Sequence, residues 1–213
     1  MERYDYGLWP MVVANAAILA AFLLGFLRPT QRREWGGFGA VAAFLVALFT
    51  EMYGFPLTIY LLAALFGREP FPDPFAHESG NFIASLLGIA DWSWLFMLAG
   101  GALIMAGLLV VSSGWRRVHA ARRAGKLVTD GPYAVVRHPQ YSGLLLMIVG
   151  ALVQWPTLVT VVMAPVLAVT YVRLARREER ALRQRFGSAY AQYEARTPPF
   201  LSRHLPASLG SNR

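Results

Sequence analysis

Between residues 131 and 143 the chain reads Gly-Pro-Tyr-Ala-Val-Val-Arg-His-Pro-Gln-Tyr-Ser-Gly, a dense polar cluster placed directly before a long apolar run. Pro139 pushes His138 out of helical geometry and Pro132 does the same to Gly131, so the segment reads as a loop with two fixed corners. A helix is expected to start near Tyr141. Arg137 can fork onto a carboxylate, His138 can donate or accept near neutral pH, and Tyr133 and Tyr141 offer flat faces and hydroxyls. Together these groups suit a small zwitterionic ligand with an aromatic part. Taken singly, each has a blander explanation as a snorkelling cation or an interfacial tyrosine, but the cluster as a whole does not.

A second set follows farther along, where Arg173, Arg176, Arg177 and Arg180 surround the double acid Glu178-Glu179, with Leu182, Phe186, Ala189, Tyr190 and Tyr193 at helical spacing. This reads as an amphipathic helix whose arginines face water or lipid headgroups. Adjacent carboxylates cannot share one helical face, so one of the two is expected to turn toward the 131–143 cluster. There it would take a ligand's ammonium or hydroxyls. The competing reading is a plain ion pair with Arg176 or Arg183.

The elements that must position these groups are set by composition. The 213 residues are 56% hydrophobic and only 15% charged, with a positive mean hydropathy, which excludes an ordinary soluble domain. The absence of cysteine excludes disulfides, thiolate metal sites and cysteine nucleophiles. Leu8 to Leu27 is an uncharged run of a length that spans about 30 Å of hydrocarbon. Glu2, Arg3 and Asp5 ahead of it argue against a cleaved signal peptide. Gly36 to Gly67, with Glu51 near its middle and Gly54-Phe55-Pro56 after it, reads as one kinked span, the alternative being a tight hairpin. Arg68 to Asp91 is a proline-rich external loop, in which Phe82 to Ile89 is long enough only for a re-entrant or interfacial helix. A third span runs from Trp92 to Ser112, and Leu144–Val153 and Leu158–Val172 form two short spans joined at Gln154-Trp155-Pro156-Thr157.

The predicted fold is therefore all-α: a polytopic integral membrane helical bundle of about five transmembrane helices, with a cytoplasmic C-terminal amphipathic helix. Eighteen of the 20 Lys and Arg residues then fall on one side, leaving Arg3 and Arg68 opposite. By the positive-inside rule the N-terminus lies outside, the C-terminus is cytoplasmic, and the polar cluster faces the cytoplasm of a bacterial inner membrane. The net charge of +8 is thus a matter of topology and lipid headgroups, and no nucleic-acid partner is expected. Glu51 is the remaining oddity. A carboxyl inside a span is costly and faces the bundle interior or a cavity, so it is a candidate catalytic or acceptor-binding group, the alternative being a bond to Tyr53 or Tyr60. His77 with Glu78 supplies too few ligands for a metal site. Gly100, Gly101 and Gly107 are expected to let helices pack closely.

The pattern GPYAVVRHPQYSG, the double acid Glu178-Glu179, and Phe186-Gly187 with Tyr190 and Tyr193 together resemble the isoprenylcysteine carboxyl methyltransferase family, whose relatives include phospholipid N-methyltransferases. The resemblance covers about a third of the chain, Lys126 to Arg196. It implies an S-adenosylmethionine-dependent methyltransferase with one membrane domain over residues 1–213, in which 1–115 form the acceptor side and 116–200 the cofactor-binding half. Carried over by position, it assigns Lys126, Leu127 and Val128 to backbone contacts with the cofactor, and Tyr133 to a place against it. His138, Pro139, Gln140 and Tyr141 become pocket wall, and Glu178 holds a polar group. Arg137 and His138 stand as catalytic candidates with Glu51. Where the family places an acceptor-binding arginine, this chain has Leu174 or Ala175, and Arg173 is the closest substitute. The implied acceptor is lipophilic, a carboxylate or a thiol.

Two other classes share parts of this pattern. Membrane sterol reductases carry a related motif that serves NADPH, but Gln140 replaces their asparagine and Leu144 stands where they tend to place an acid. Accessory membrane proteins of metal-resistance or nitric-oxide-related systems would keep the fold without turnover.

Overall fold

Glycines and prolines punctuate the chain into its elements. The fold is that of a computed structural model, which describes residues 9–21, 32–51, 57–58, 84 and 87–200. All seven α-helices among the described residues follow directly in sequence: α1 (Trp9–Ala21), α2 (Arg32–Phe49), α3 (Ser93–Ala124), α4 (Pro132–Val135), α5 (Pro139–Gln154), α6 (Leu158–Phe186) and α7 (Ser188–Arg196). A 3₁₀ turn over Ala90–Trp92 leads into α3. There is no strand among the described residues, so the all-helical expectation holds.

Two of these helices are long and apolar enough to cross a membrane, over Ser93–Val118 and Leu158–Phe186. At about 1.5 Å per residue each exceeds a hydrocarbon core of about 30 Å. Their apolar side chains are mostly outward: Leu95, Leu98, Met105 and Leu109 on α3, and Val161, Val162, Val166 and Val169 on α6, are exposed. Water would penalise such stripes, whereas lipid does not. Trp9–Ile18 and Pro139–Gln154 are apolar but shorter. Among the described residues, two helices thus have the length and composition of spans, where five spans were expected for the chain. Much of Gly36–Gly67, His77, Glu78 and half of Phe82–Ile89 lie outside the described residues.

Several boundaries differ from the sequence expectation, each for a local reason. The third span does not stop at Ser112; α3 continues to Ala124, because no proline lies between them and the single Gly114 is not enough to end a helix. The last span does not hand over to a separate amphipathic helix; α6 runs from apolar Leu158 to Phe186 without a break, and Pro165 lies inside it. The break comes only at Gly187, whose positive φ of 50° turns the chain into α7. The predicted turn at residues 154–157 is present: α5 ends at Gln154 and α6 begins at Leu158. It is closed by a reciprocal cap, Thr157 N donating to Thr160 Oγ1 at 3.0 Å and Thr160 N donating to Thr157 Oγ1 at 3.2 Å.

The chain divides into two compact units, Met1–Met105 with Leu146–Thr170, and Ala106–Leu145 with Tyr171–Arg213. In the first, α3 and α5 meet at Gly100 and Gly150, where a Cβ on either would stand 2.6–2.7 Å from the other's carbonyl oxygen. Only hydrogen fits there. In the second, Gly143 meets the Gly107 carbonyl in the same way, at 2.7 Å. Gly100 thus does what its size predicts, whereas a Cβ on Gly101 would meet nothing within 4 Å among the described residues.

Candidate functional site

The site lies wholly within the second unit, on α4, the start of α5, the second half of α6 and α7. Its frame begins where α3 stops: Gly125 takes a φ of 64° and Lys126 N donates to Ala121 O at 3.1 Å, a glycine-dependent helix end. Gly131, at φ 59°, then redirects the chain into α4, with Pro132 as its first residue. The segment expected to be plain loop therefore contains one helical turn, because proline's fixed φ suits a first helical position. That turn buries Tyr133, whose carbonyl accepts a 2.7 Å hydrogen bond from Tyr193 Oη on α7. Pro139, rather than Tyr141, starts α5 for the same reason.

Between these two turns sits the charged centre. His138 is buried at 5% exposure, and its Nε2 lies 3.1 Å from Glu179 Oε1. The same oxygen is gripped by Arg137 Nη2 at 2.9 Å. Arg137 Nη1 reaches Glu194 Oε1 on α7 at 2.8 Å, and Arg183 Nε donates to Glu194 Oε2 at 2.9 Å. Glu178 flanks the opposite edge of the ring, with Oε2 3.8 Å from His138 Nδ1, and its Oε1 accepts the Tyr141 hydroxyl at 2.8 Å. Both acids therefore engage the cluster, where only one was expected. A turn of about 100° between neighbours on a helix separates two carboxylates by enough to straddle one imidazole rather than to face away from it.

Burial holds the His138 imidazole below its ordinary pKa, against the opposing pull of Glu179 and Glu178, so it is neutral at pH 7. Burial likewise raises the Tyr193 phenol, and pushes Tyr190 up to about 12. Glu194 is held below the usual carboxylate range by its hydrogen bond from Arg183.

A strap following α7 ties the centre down. Arg137 N donates to Pro198 O at 2.8 Å and His138 N to Pro199 O at 3.0 Å. Ser142 Oγ lies 3.2 Å from Phe200 O, and the Phe200 ring sits 5.6 Å from the His138 ring. On the far side Tyr141 stacks on the fully buried Tyr171, centroids 5.6 Å apart and planes 17° apart.

The sequence-predicted residues separate accordingly. Arg137, His138, Tyr141 and Glu178 are brought together, with Pro139 buried beside them and Tyr133 one turn earlier. Gln140 Nε2 is a buried donor without a partner among the described residues. Lys126 is exposed and its N–H is spent on capping α3, so only its carbonyl is open to a ligand; Leu127 and Val128 follow it half-buried. Arg173 is exposed on α6. Glu51 belongs to the first unit, buried in a π-type turn at the end of α2, where Oε2 accepts the Thr58 N–H at 3.1 Å. Thr58 Oγ1 in turn accepts the Leu158 N–H at 2.9 Å. This local capping role was not visible in sequence, and neither were Glu194 and the 198–200 strap; Glu179 was singled out only as one half of the double acid. Glu194 could have been flagged by its spacing from Tyr190 and Arg183; the strap carried no signal beyond its two prolines.

Residues 95–189, which hold most of this centre, match the phospholipid methyltransferase family model. Over 123 residues the chain is 32% identical to protein-S-isoprenylcysteine O-methyltransferase B of Arabidopsis thaliana, covering 54% of this chain and 61% of that protein. The segment is thus similar to isoprenylcysteine methyltransferases. A probable protein-S-isoprenylcysteine O-methyltransferase of Oryza sativa subsp. indica matches the chain at 34% over 110 residues, 47% of this chain and 58% of the relative. So does the cobalt-zinc-cadmium resistance protein CzcN of Cupriavidus metallidurans, at 37% over 131 residues, 57% of this chain and 58% of that protein. The matched stretch thus spans about three fifths of these relatives' length. No solved structure matches the chain.

Proposed function

We propose that this chain is a membrane-embedded, S-adenosylmethionine-dependent methyltransferase whose acceptor is lipophilic or bears a thiol or carboxylate. The observation that carries the reading is the pair Glu178 and His138, two acceptors side by side at 3.8 Å within a segment of methyltransferase family. A zwitterionic cofactor with an ammonium and a ribose diol needs such acceptors. It also needs donors and flat surfaces, and Gln140 Nε2 and the Tyr141 ring supply them. The residues present therefore fit the cofactor.

When bound, S-adenosylmethionine supplies a methyl group already activated by its sulfonium. The protein's own task is then to orient the acceptor and exclude water. His138, neutral at pH 7, can receive the proton that an amine acceptor must shed, whereas a thiolate or carboxylate acceptor has none to give. Arg137 commits both terminal nitrogens to Glu179 and Glu194, while its Nε is buried without a partner among the described residues, which makes it a holder of the site rather than an open carboxylate receptor. Glu51 and Arg173 are the acceptor-side candidates. The charge pattern of the expected spans supports a site on the cytoplasmic face.

Calorimetry of the detergent-solubilised protein with S-adenosylmethionine, S-adenosylhomocysteine and NADPH tests this. Heat from the first two supports it, and binding of NADPH alone sinks it. A second reading, an accessory protein without turnover, is favoured by the identity to CzcN, named for metal resistance. It predicts no methyl transfer to any lipid or thiol even with the donor bound.

A further inference from the structure

We infer that Glu179 is a positioning residue: it holds the His138 proton on Nε2 and so leaves Nδ1 as the acceptor that meets a ligand beside Glu178. Glu179 Oε1 lies 3.1 Å from Nε2, within hydrogen-bond range, while Glu178 Oε2 lies 3.8 Å from Nδ1, beyond it. The one ring proton therefore belongs on the Glu179 side. Arg137 engages that carboxylate as an acceptor, since its Nη2 donates to the same oxygen at 2.9 Å, with both side chains only 10% exposed.

The consequence is an unmet need on the other edge. A deprotonated Nδ1 and a carboxylate oxygen 3.8 Å apart are two acceptors facing each other, an arrangement that repels until a donor enters between them. Glu178 cannot swing away freely, because the Tyr141 hydroxyl holds its other oxygen at 2.8 Å. The chemistry recognised is an ammonium or a hydroxyl carrying hydrogen, and a carboxylate or phosphate is rejected. The charged groups facing the ring are Arg137 on its own segment and Glu178 and Glu179 on α6; the strap brings only Pro198, Pro199 and Phe200. The ligand half rests on the donor reading above, but the tautomer does not.

The test is ¹⁵N NMR on the full-length protein in detergent, labelled at histidine, with the His138 signals assigned by their loss in His138→Asn. The expected result at pH 7.5, without ligand, is a pyrrole-type Nε2 and a pyridine-type Nδ1. The opposite tautomer, or an imidazolium, overturns the proposal. In Glu179→Ala the proton redistributes over both nitrogens; an unchanged tautomer there shows that Glu179 does not hold it. Should that variant not fold, Glu179→Gln keeps an oxygen for Nε2–H but removes the charge, and the His138 titration midpoint falls by about one pH unit. A midpoint that stays put overturns the assignment. Saturating S-adenosylhomocysteine shifts Nδ1 and leaves Nε2 nearly fixed; heat of binding without an Nδ1 shift overturns the ligand half alone. No heat at all overturns that half together with the donor reading, while the ligand-free tautomer stands or falls by itself.

Discussion

Nε2 of His138 and Oε1 of Glu179 stand 3.1 Å apart although 41 residues separate them, and Arg137 closes on that same oxygen from the other side. This contact joins the start of α5 to the second half of α6, and much of what can be tested follows from it.

Arg137→Ala leaves the Glu179 carboxyl buried and without its closest cationic partner. The expected cost is about 3–5 kcal/mol, the usual penalty for stranding one member of a buried pair. It is read as a fall in the thermal unfolding midpoint in detergent, and a midpoint within a degree or two of the wild type would contradict it.

Donor binding depends on the two acceptors. His138→Ala and Glu178→Ala each weaken S-adenosylhomocysteine by tenfold or more, equivalent to about 1.4 kcal/mol or above. Unchanged affinity in both would show that the donor binds elsewhere. Glu51→Gln, in the other compact unit, changes acceptor turnover while donor affinity stays at the wild-type value.

Acid weakens the fold in two stages. Above pH 6.5 His138 is neutral folded or unfolded and contributes no pH dependence. Its folded pKa is lowered, so as pH falls below 6.5 the unfolded chain takes up the proton first and stability drops through the folded value. Glu194 acts in the lower range. Its folded pKa lies below the ordinary 4.5, so its contribution is full above that value and is lost as pH falls through the folded one. Thermal midpoints recorded from pH 7.5 downward should decline below 6.5, and His138→Gln should remove the first stage only.

Gly143→Ala puts a methyl 2.7 Å from the Gly107 carbonyl, a backbone atom that cannot rotate aside. The expected destabilisation is about 1–3 kcal/mol. Gly101→Ala is the control, because its Cβ would meet nothing within 4 Å, and there helix propensity favours alanine by up to about 1 kcal/mol. If the two variants melt alike, the close crossing of α3 and α5 at Gly143 is wrong.

What the sequence determined by itself is what short-range chemistry controls. Pro132, Pro139, Gly125 and Gly187 act on their own backbone or that of the next residue, so they mark element boundaries without reference to any partner. The long uncharged runs of α3 and α6 likewise declare their solvent by composition. Arg137, His138, Tyr141 and Glu178 could be singled out because their types are costly beside such runs. Tertiary structure alone decided that Glu178 and Glu179 both serve the site, from opposite edges of one ring. It also decided that Pro198 and Pro199 accept the N–H groups of Arg137 and His138, across some sixty residues of chain. Burial is the physical reason. It lowers His138, makes the Arg137–Glu179 pair worth keeping, and fixes which nitrogen holds a proton, and it arises only when helices distant in sequence close over the same few side chains.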